Sequence, residues 1–318
     1  MQVLIVKTSS MGDIILTLPA LTDAINMFPN IRFDWVVEEN FAQIPTWHSA
    51  VRHTIPVSIR RWRKNWFGQE IRKERKTFKD LLQQNHYDAV IDAQGLIKSA
   101  GLVTRLARGK KHGFDRKSIR ELLACWFYDY KHQVSWQHHA VERIRRLFAA
   151  SLNYPLPDSI GDYAIAKNFT PPSENDPYLI FLHATTRDNK HWPESYWKIL
   201  LSKATQSGYI VKLPWGAEHE HQRAQRLAQG FDRVEVLPHT NLVGIAKQLV
   251  GARAILSVDT GLSHLSAALD RPNLTLYGPT DPIIIGGYGR HQQALRSASG
   301  NLKDLTCEEV WQHFKLLL

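Results

Sequence analysis

Cysteine is scarce in this 318-residue sequence, which has two, Cys125 and Cys307. Two thiols build neither a disulfide framework nor a thiolate metal centre, so a reducing, cytoplasmic setting is expected. Long apolar runs are also missing: no stretch approaches the roughly 18 consecutive apolar residues of a membrane span. A strand-like run at residues 3–7 leaves no room for a signal peptide ahead of it. Acidic residues are in deficit, 30 against 40 Lys and Arg, giving a formal net charge of +10. A basic chain of this kind is expected to meet something anionic, whether nucleic acid, a membrane surface or a phosphorylated substrate. The G-x-x-x-x-G-K phosphate loop is absent, and "GGYGR" (286–290) is no dinucleotide fingerprint because no strand leads directly into it. His138, His139, His219 and His221 lack carboxylates at ligand spacing, so no metal site is expected.

Apolar residues make up 43% of the chain and charged residues 22%, the balance of a globular protein. Strand-like runs alternate with helical patterns. "VLIVK" (3–7), "FDWVVEE" (33–39) and "DAVIDAQG" (88–95) form a first series. "YLIFLHAT" (178–185), "YIVKLPWG" (209–216), "VEVLP" (234–238), "AILSVDTG" (254–261) and "NLTLYGPTD" (273–281) form a second. Strands this apolar, alternating with helices, imply parallel sheets covered on both faces. The fold class is therefore α/β, with two Rossmann-like doubly wound domains facing across a cleft. The expected boundaries are 1–160 for the first domain, 161–176 for a proline-rich linker and 177–303 for the second. A terminal helix over 304–318 is expected to pack back on the first domain, and "IRELLACWFYDY" (119–130) to form a buried helix. Pro19 falls within the helical face of Ile14, Leu18, Leu21, Ile25 and Phe28, which predicts a kink or a late start there.

In doubly wound folds ligands bind at the carboxyl ends of the strands. In "SSMGDIILTLPA", Asp13 stands just past the first strand, where it reads equally as a helix cap or as a catalytic carboxylate. In "SVDTGLSHLSAALDRP" a strand runs directly into a helix, and its first amides at Thr260 and Gly261 can hold a phosphate, framed by Asp259 and His264. The competing reading is an ordinary strand–turn–helix with an aspartate cap. "HATTRDNKHWPESYW" offers Thr185 and Thr186 at another strand end, with Lys190 as a mobile positive charge. "IRRWRKNWF" (59–67) interleaves Arg60, Arg61, Arg63 and Lys64 with two tryptophans and almost no acid. Nucleic acid, anionic headgroups or a phosphorylated acceptor would all suit it, and a bland solvated face would not need the tryptophans. Arg72, Lys73, Arg75 and Lys76 alternate with Glu70 and Glu74 as on an ordinary solvated helix.

Taken together, "SSMGDIILTLPAL", "DAQGLIKSA", "HATTRDNKHWP", "KLPWG" and "SVDTGLSHLSAALDRPNLTLYGPTDP" resemble the bacterial lipopolysaccharide heptosyltransferases over essentially the whole chain. "RRWRK" and "DAQGLIKS" resemble the branch of that family that adds the first inner-core heptose. The resemblance implies a GT-B fold and inverting transfer without metal or other cofactor. The donor would be ADP-L-glycero-D-manno-heptose, bound by the second domain, and the acceptor Kdo2-lipid A, bound by the first. The enzyme would then work peripherally on the cytoplasmic face of the inner membrane, with no nucleic-acid partner. Matched position by position, Asp13 falls on the catalytic base, and Thr186, Lys190, Thr260 and Gly261 on diphosphate contacts, with Thr185 beside them in the donor site. Asp259 and His264 fall near the donor heptose and phosphates, and Glu220 on a ribose-binding acid. Arg60, Arg61, Arg63, Lys64 and Arg120 would meet the anionic acceptor. Position at a helix start would hold Asp13 ionised, so cap and catalyst can be one residue. The alternatives are a related GT-B glycosyltransferase using another nucleotide-sugar and a nucleic-acid-binding module, the latter without any RRM, KH or helix-turn-helix signature.

Overall fold

Val3, Leu4, Ile5 and Val6 have no exposed surface, which makes β1 (Gln2–Val6) an interior strand. Each such side chain contributes roughly 1.5–3 kcal/mol of burial. The computed structural model describes residues 1–173 and 176–318. Glu174 and Asn175, within the expected linker, lie outside the described residues. The chain divides into Met1–Ala164 and Ile165–Leu318.

In the first unit β1 is followed by α1 (Met11–Ile15), α2 (Leu18–Met27), β2 (Arg32–Glu38) and β3 (Val51–Val57). Next come α3 (Ile59–Trp62), α4 (Gln69–Leu82), β4 (His86–Asp92), α5 (Ile97–Leu102), β5 (Arg108–Phe114), β6 (Tyr130–His132) and α6 (Ala140–Leu152). The strands pair in the order β3-β2-β1-β4-β5-β6, every pair parallel. The expected break near Pro19 is present: α1 ends at Ile15, and the proline takes the second position of α2, where its missing N–H costs nothing.

The second unit alternates β7 (Tyr178–Leu182), α7 (Glu194–Gln206), β8 (Ile210–Leu213), α8 (Glu218–Ala228), β9 (Val234–Val236) and α9 (Leu242–Gly251). It continues with β10 (Ala254–Val258), α10 (Gly261–Ala268), β11 (Asn273–Tyr277), α11 (Pro282–Ile285), β12 (Gln292–Arg296) and α12 (Cys307–Phe314). Its parallel order is β12-β11-β10-β7-β8-β9. Each sheet grows outward from its first strand and then resumes on that strand's other side, so β1/β4 and β7/β10 are the topological switch points.

Two expectations are corrected here. The terminal helix, expected on the first domain, is built into the second unit's core. Val310 and Phe314 of α12 are fully buried, the Phe314 ring meets Phe181 of β7 edge-on at 5.7 Å, and Glu308 pairs with Lys203 of α7 at 3.0 Å. Residues 119–130 are not a buried helix either: they hold a short 3₁₀ stretch, Leu122–Phe127, of which only Ala124 and Cys125 are buried. The connection returns at once to β6, and the Tyr128 ring seats over Gly113, where any side chain would collide with it. Among the described residues no helix is long and apolar enough to cross a membrane.

One polar tie crosses the first unit's interior. Arg145 of α6, 1% exposed, donates from Nε and Nη2 to the two oxygens of Asp23 on α2 at 2.7 and 3.2 Å. Removing Asp23 leaves the buried guanidinium with Glu142, at 2.8 Å, and the Pro157 carbonyl, at 3.3 Å, in place of its bidentate partner. Asp23→Ala should therefore cost about 3–5 kcal/mol, read as a lower urea midpoint, and Asp23→Leu with Arg145→Met should recover much of it.

Candidate active site

Of the sequence-predicted residues, Asp13 follows a strand of the first unit's switch point. Thr185, Thr186, Lys190, Asp259, Thr260, Gly261 and His264 follow the two strands of the second unit's; the basic cluster, Arg120 and Glu220 follow other strands. In the first unit Asp13 is the third residue of α1, directly after β1. Its Oδ2 accepts from the Ser10 amide at 2.9 Å and the Ser10 hydroxyl at 2.7 Å, while Oδ1 lies 3.8 Å from Lys7 Nζ. The carboxylate side chain keeps a third of its surface exposed. It is thus both a helix-start residue and an open carboxylate, and the two readings of the sequence are compatible.

What holds this turn comes from β4, across the switch point. Gln94 Oε1 accepts from the amides of Thr8 and Ser9 at 3.0 and 3.2 Å. Gln94 and Gly95 in turn donate their amides to Asp92 Oδ1 at 2.9 and 3.0 Å, and Thr104 Oγ1 donates to Asp92 Oδ2 at 2.8 Å. Gly95 adopts φ +67°, a conformation that costs other residues strain. Burial pushes the Asp92 carboxyl up, against those hydrogen bonds. Burial likewise pushes the Lys7 ammonium down, against the charges of Asp13 and Asp92, and its Nζ donates to the Ala93 carbonyl at 3.0 Å. Lys7, Asp92 and Gln94 were not singled out in the sequence. The available signal was a polar residue closing an apolar run on each of two strands, and it gains meaning only once β1 and β4 are neighbours.

The basic cluster looks different from its sequence. Arg60, Arg61, Arg63 and Lys64 are exposed, and α3 carries the first two just past the end of β3. Arg61, however, is already engaged, donating to Glu74 Oε1 at 2.8 Å and to Ser58 Oγ at 3.1 Å. The two tryptophans are explained by packing. Trp62 is 5% exposed, lies edge-on to Phe78 and donates to Glu74 Oε2 at 2.8 Å; Trp66 carries the Arg75 guanidinium 3.4 Å above its ring. Glu74 and Arg75 are therefore not an ordinary solvated face. Arg60 faces Glu38 at the end of β2: burial pushes that carboxyl up, while the Arg60 backbone N–H and the charges of Arg60 and Lys98 pull it back. Arg120, exposed beyond β5, is near enough for its charge to act on Lys7.

In the second unit Thr185, Thr186 and Lys190 follow β7, and Asp259, Thr260, Gly261 and His264 follow β10. Thr185 Oγ1 donates to the Asp259 carbonyl at 3.0 Å, tying the two strand ends together. Lys190 Nζ meets Asp259 Oδ2 at 2.5 Å, which fixes the ammonium beside the start of α10. Thr260 is the N-cap of that helix; the Ser263 amide bonds back to its carbonyl at 3.1 Å, and the amides of Gly261 and Leu262 ahead of it have no partner within the helix. The His191 Nε2–H donates to the Thr185 carbonyl at 2.7 Å, so the loop around Lys190 is braced from both ends. His264 is a residue of α10 with 5% exposure. Glu220 is the third residue of α8, after β8; its Oε2 accepts from Gly216 and Ala217 at 2.8 and 3.1 Å. That position beyond the second strand is where doubly wound folds place a ribose-binding acid. A pocket of about 410 Å³ between Pro172, Leu237 and Lys247 contains none of these residues.

A carboxylate at one switch point and a cation over a helix start at the other, on two doubly wound sheets, make the chain a GT-B glycosyltransferase. Within that class it belongs to glycosyltransferase family 9, the heptosyltransferases, whose family model matches residues 75–315. It is 59% identical to lipopolysaccharide heptosyltransferase 1 of Escherichia coli K12 over 100% of both chains. To its counterpart in Pseudomonas aeruginosa it is 53% identical, over 93% of this chain and 84% of that one. Among solved structures, E. coli heptosyltransferase WaaC with ADP superposes at TM-score 0.97 with 59% identity, covering 100% of each chain. The same enzyme with ADP-2-deoxy-2-fluoro heptose gives 0.95 with 58% identity and the same coverage.

Proposed function

We propose that this heptosyltransferase moves L-glycero-D-manno-heptose from ADP-heptose to a Kdo residue of Kdo2-lipid A, with inversion at the anomeric carbon. The observation that carries the reading is the convergence of Lys190, Asp259 and the start of α10 at the β7/β10 switch point. The heptosyltransferase structures named above, which hold ADP and an ADP-heptose analogue, support a nucleoside diphosphate donor there. In the reaction the acceptor hydroxyl oxygen bonds to the anomeric carbon as the bond from that carbon to the β-phosphate oxygen breaks, and ADP leaves. Asp13 takes the hydroxyl proton. Lys190 and the first amides of α10, at Thr260 and Gly261, meet the charge that builds on the departing diphosphate. Thr185 and Thr186 line that strand end, Asp259 positions Lys190, His264 supports the helix start, and Glu220 Oε1 meets the ribose. Arg60, Arg63, Lys64 and Arg120 face the phosphates and carboxylates of the acceptor; Arg61, tied to Glu74, braces them. The acceptor's lipid anchor puts the enzyme peripherally on the cytoplasmic face of the inner membrane.

The test is ADP release from ADP-heptose with and without heptose-free Kdo2-lipid A, alongside ADP-mannose, UDP-sugar and GDP-sugar donors. Acceptor-dependent release confined to ADP-heptose is the expected result. Equal release from another nucleotide-sugar would move the reading to a related GT-B transferase.

A further inference from the structure

The segment between β5 and β6 exposes apolar side chains on a rigid mount. Trp126 is 79% exposed, Leu122 56% and Leu123 50%, all on the 3₁₀ stretch Leu122–Phe127. The mount is firm because Ala124, Cys125 and Tyr128 turn inward, with Cys125 Sγ 3.4 Å from the Phe114 carbonyl. Ile97, 42% exposed at the start of α5, adjoins them, since Glu121 Oε2 accepts from its amide at 2.6 Å. Contiguous exposed apolar surface of this kind marks a contact site rather than chance exposure.

Charge around the segment is net positive. Arg116, Lys117 and Arg120 precede it and Lys131 follows, all exposed and, among the described residues, none ion-paired. The acids of the same segment are folded back onto backbone amides. Asp115 Oδ1 accepts from Lys117 N at 3.1 Å, Glu121 Oε2 from Ile97 N at 2.6 Å and Asp129 Oδ2 from Lys111 N at 2.9 Å. Across residues 116–131 four cations thus stand against Glu121 and the exposed Asp129, a net positive rim around an indole and two leucines. An indole seated at headgroup depth with cations beside the lipid phosphates is the pattern of an interfacial anchor.

We infer that residues 116–131 dock the enzyme on an anionic bilayer, with Trp126, Leu122 and Leu123 entering the headgroup–acyl boundary and Arg116, Lys117 and Lys131 facing lipid phosphates. A second copy of the chain is a poor occupant. A two-fold contact would set this net positive rim against itself, and an exposed patch of this kind supplies a few hundred Å², on the order of 300–600, where a stable dimer needs about 800 Å² a side. The inference deepens the reading of a lipid-anchored acceptor and rests on it for the choice of bilayer.

The experiment is co-sedimentation with phosphatidylcholine vesicles, with and without phosphatidylglycerol, comparing the enzyme with Trp126→Ser/Leu123→Ser. The expected result is binding that needs phosphatidylglycerol, weakens with salt and falls at least about tenfold in the double variant. Turnover on a deacylated, soluble acceptor should stay within about twofold of the parent enzyme. Equal vesicle binding by the variant, or no binding by the parent, overturns the docking surface, as does a dimer that dissociates on substitution. Failure of the parent to use the soluble acceptor would instead overturn the substrate reading, whatever the vesicles show. Should the double variant not fold, Trp126→Ser alone decides, with a loss of at least about threefold expected.

Discussion

Asp13→Asn should lower kcat by about 10²- to 10⁴-fold, the range for loss of a positioned general base. Asparagine has the same shape and can still accept from the Ser10 amide, so α1 should start as before. What it lacks is a site for the acceptor proton. A cap alone is worth on the order of 1 kcal/mol, whereas the expected rate loss corresponds to about 2.7–5.4 kcal/mol of barrier. The two roles therefore separate on one substitution: asparagine keeps the cap and loses the base, so kcat should fall while the melting temperature holds. We expect the melting temperature to move by only a few degrees, because the side chain is a third exposed and its neighbours stay in place. The KM for the donor should change little, since the residues proposed to bind the nucleotide belong to a different sheet. The measurement is acceptor-dependent ADP release at saturating substrates beside a thermal melt. A near-normal kcat would remove Asp13 as the base, and a matched fall in both would reduce it to a cap.

The sequence was most informative where one strand end supplies both the fold and the chemistry. The runs that became β1, β7, β10 and β11 are interior strands, buried almost throughout, and the ends of the first three carry Asp13, Lys190 and the "DTG" turn. Strands β3, β6 and β12 sit at or beside the sheet edges, so polar residues such as His53, Lys131 and Gln292 break their pattern. β5, reading "RGKKHGF", is no clearer: its inward residues are a histidine, a glycine and one phenylalanine. The tryptophans of the 59–67 cluster gave a false lead. Aromatics among arginines look like a binding face in one dimension, and only the fold of α4 against β3 shows Trp62 turned inward. Residues 119–130 misled in the opposite sense, their apolar content predicting burial where the return to β6 leaves the side chains outside. The support of Asp13 by Gln94 and Asp92 depends on which strands are adjacent, and adjacency across a switch point is not written in local periodicity.

Lys190→Ala should reduce kcat/KM for the donor by about 10²- to 10³-fold, and the loss should have two separable parts. The first is the missing cation on the departing diphosphate. The second comes from what is left behind: Asp259, its side chain 10% exposed and paired to Lys190 at 2.5 Å, becomes an uncompensated carboxylate beside an anionic ligand. Like charge at that distance opposes binding, and desolvation strengthens the opposition. The double variant Lys190→Ala/Asp259→Asn should therefore bind ADP more tightly than Lys190→Ala alone, by about tenfold, although it contains one more change. Asp259→Asn by itself should be milder than Lys190→Ala, because the ammonium survives and only its mooring weakens. Calorimetric ADP affinity and donor-varied kinetics on the four proteins close the cycle. Coupling of this sign makes Asp259 a positioning residue that acts through Lys190. Simple additivity would mean that Asp259 touches the donor on its own account, and the hydroxyls of the transferred sugar would then be its natural partner.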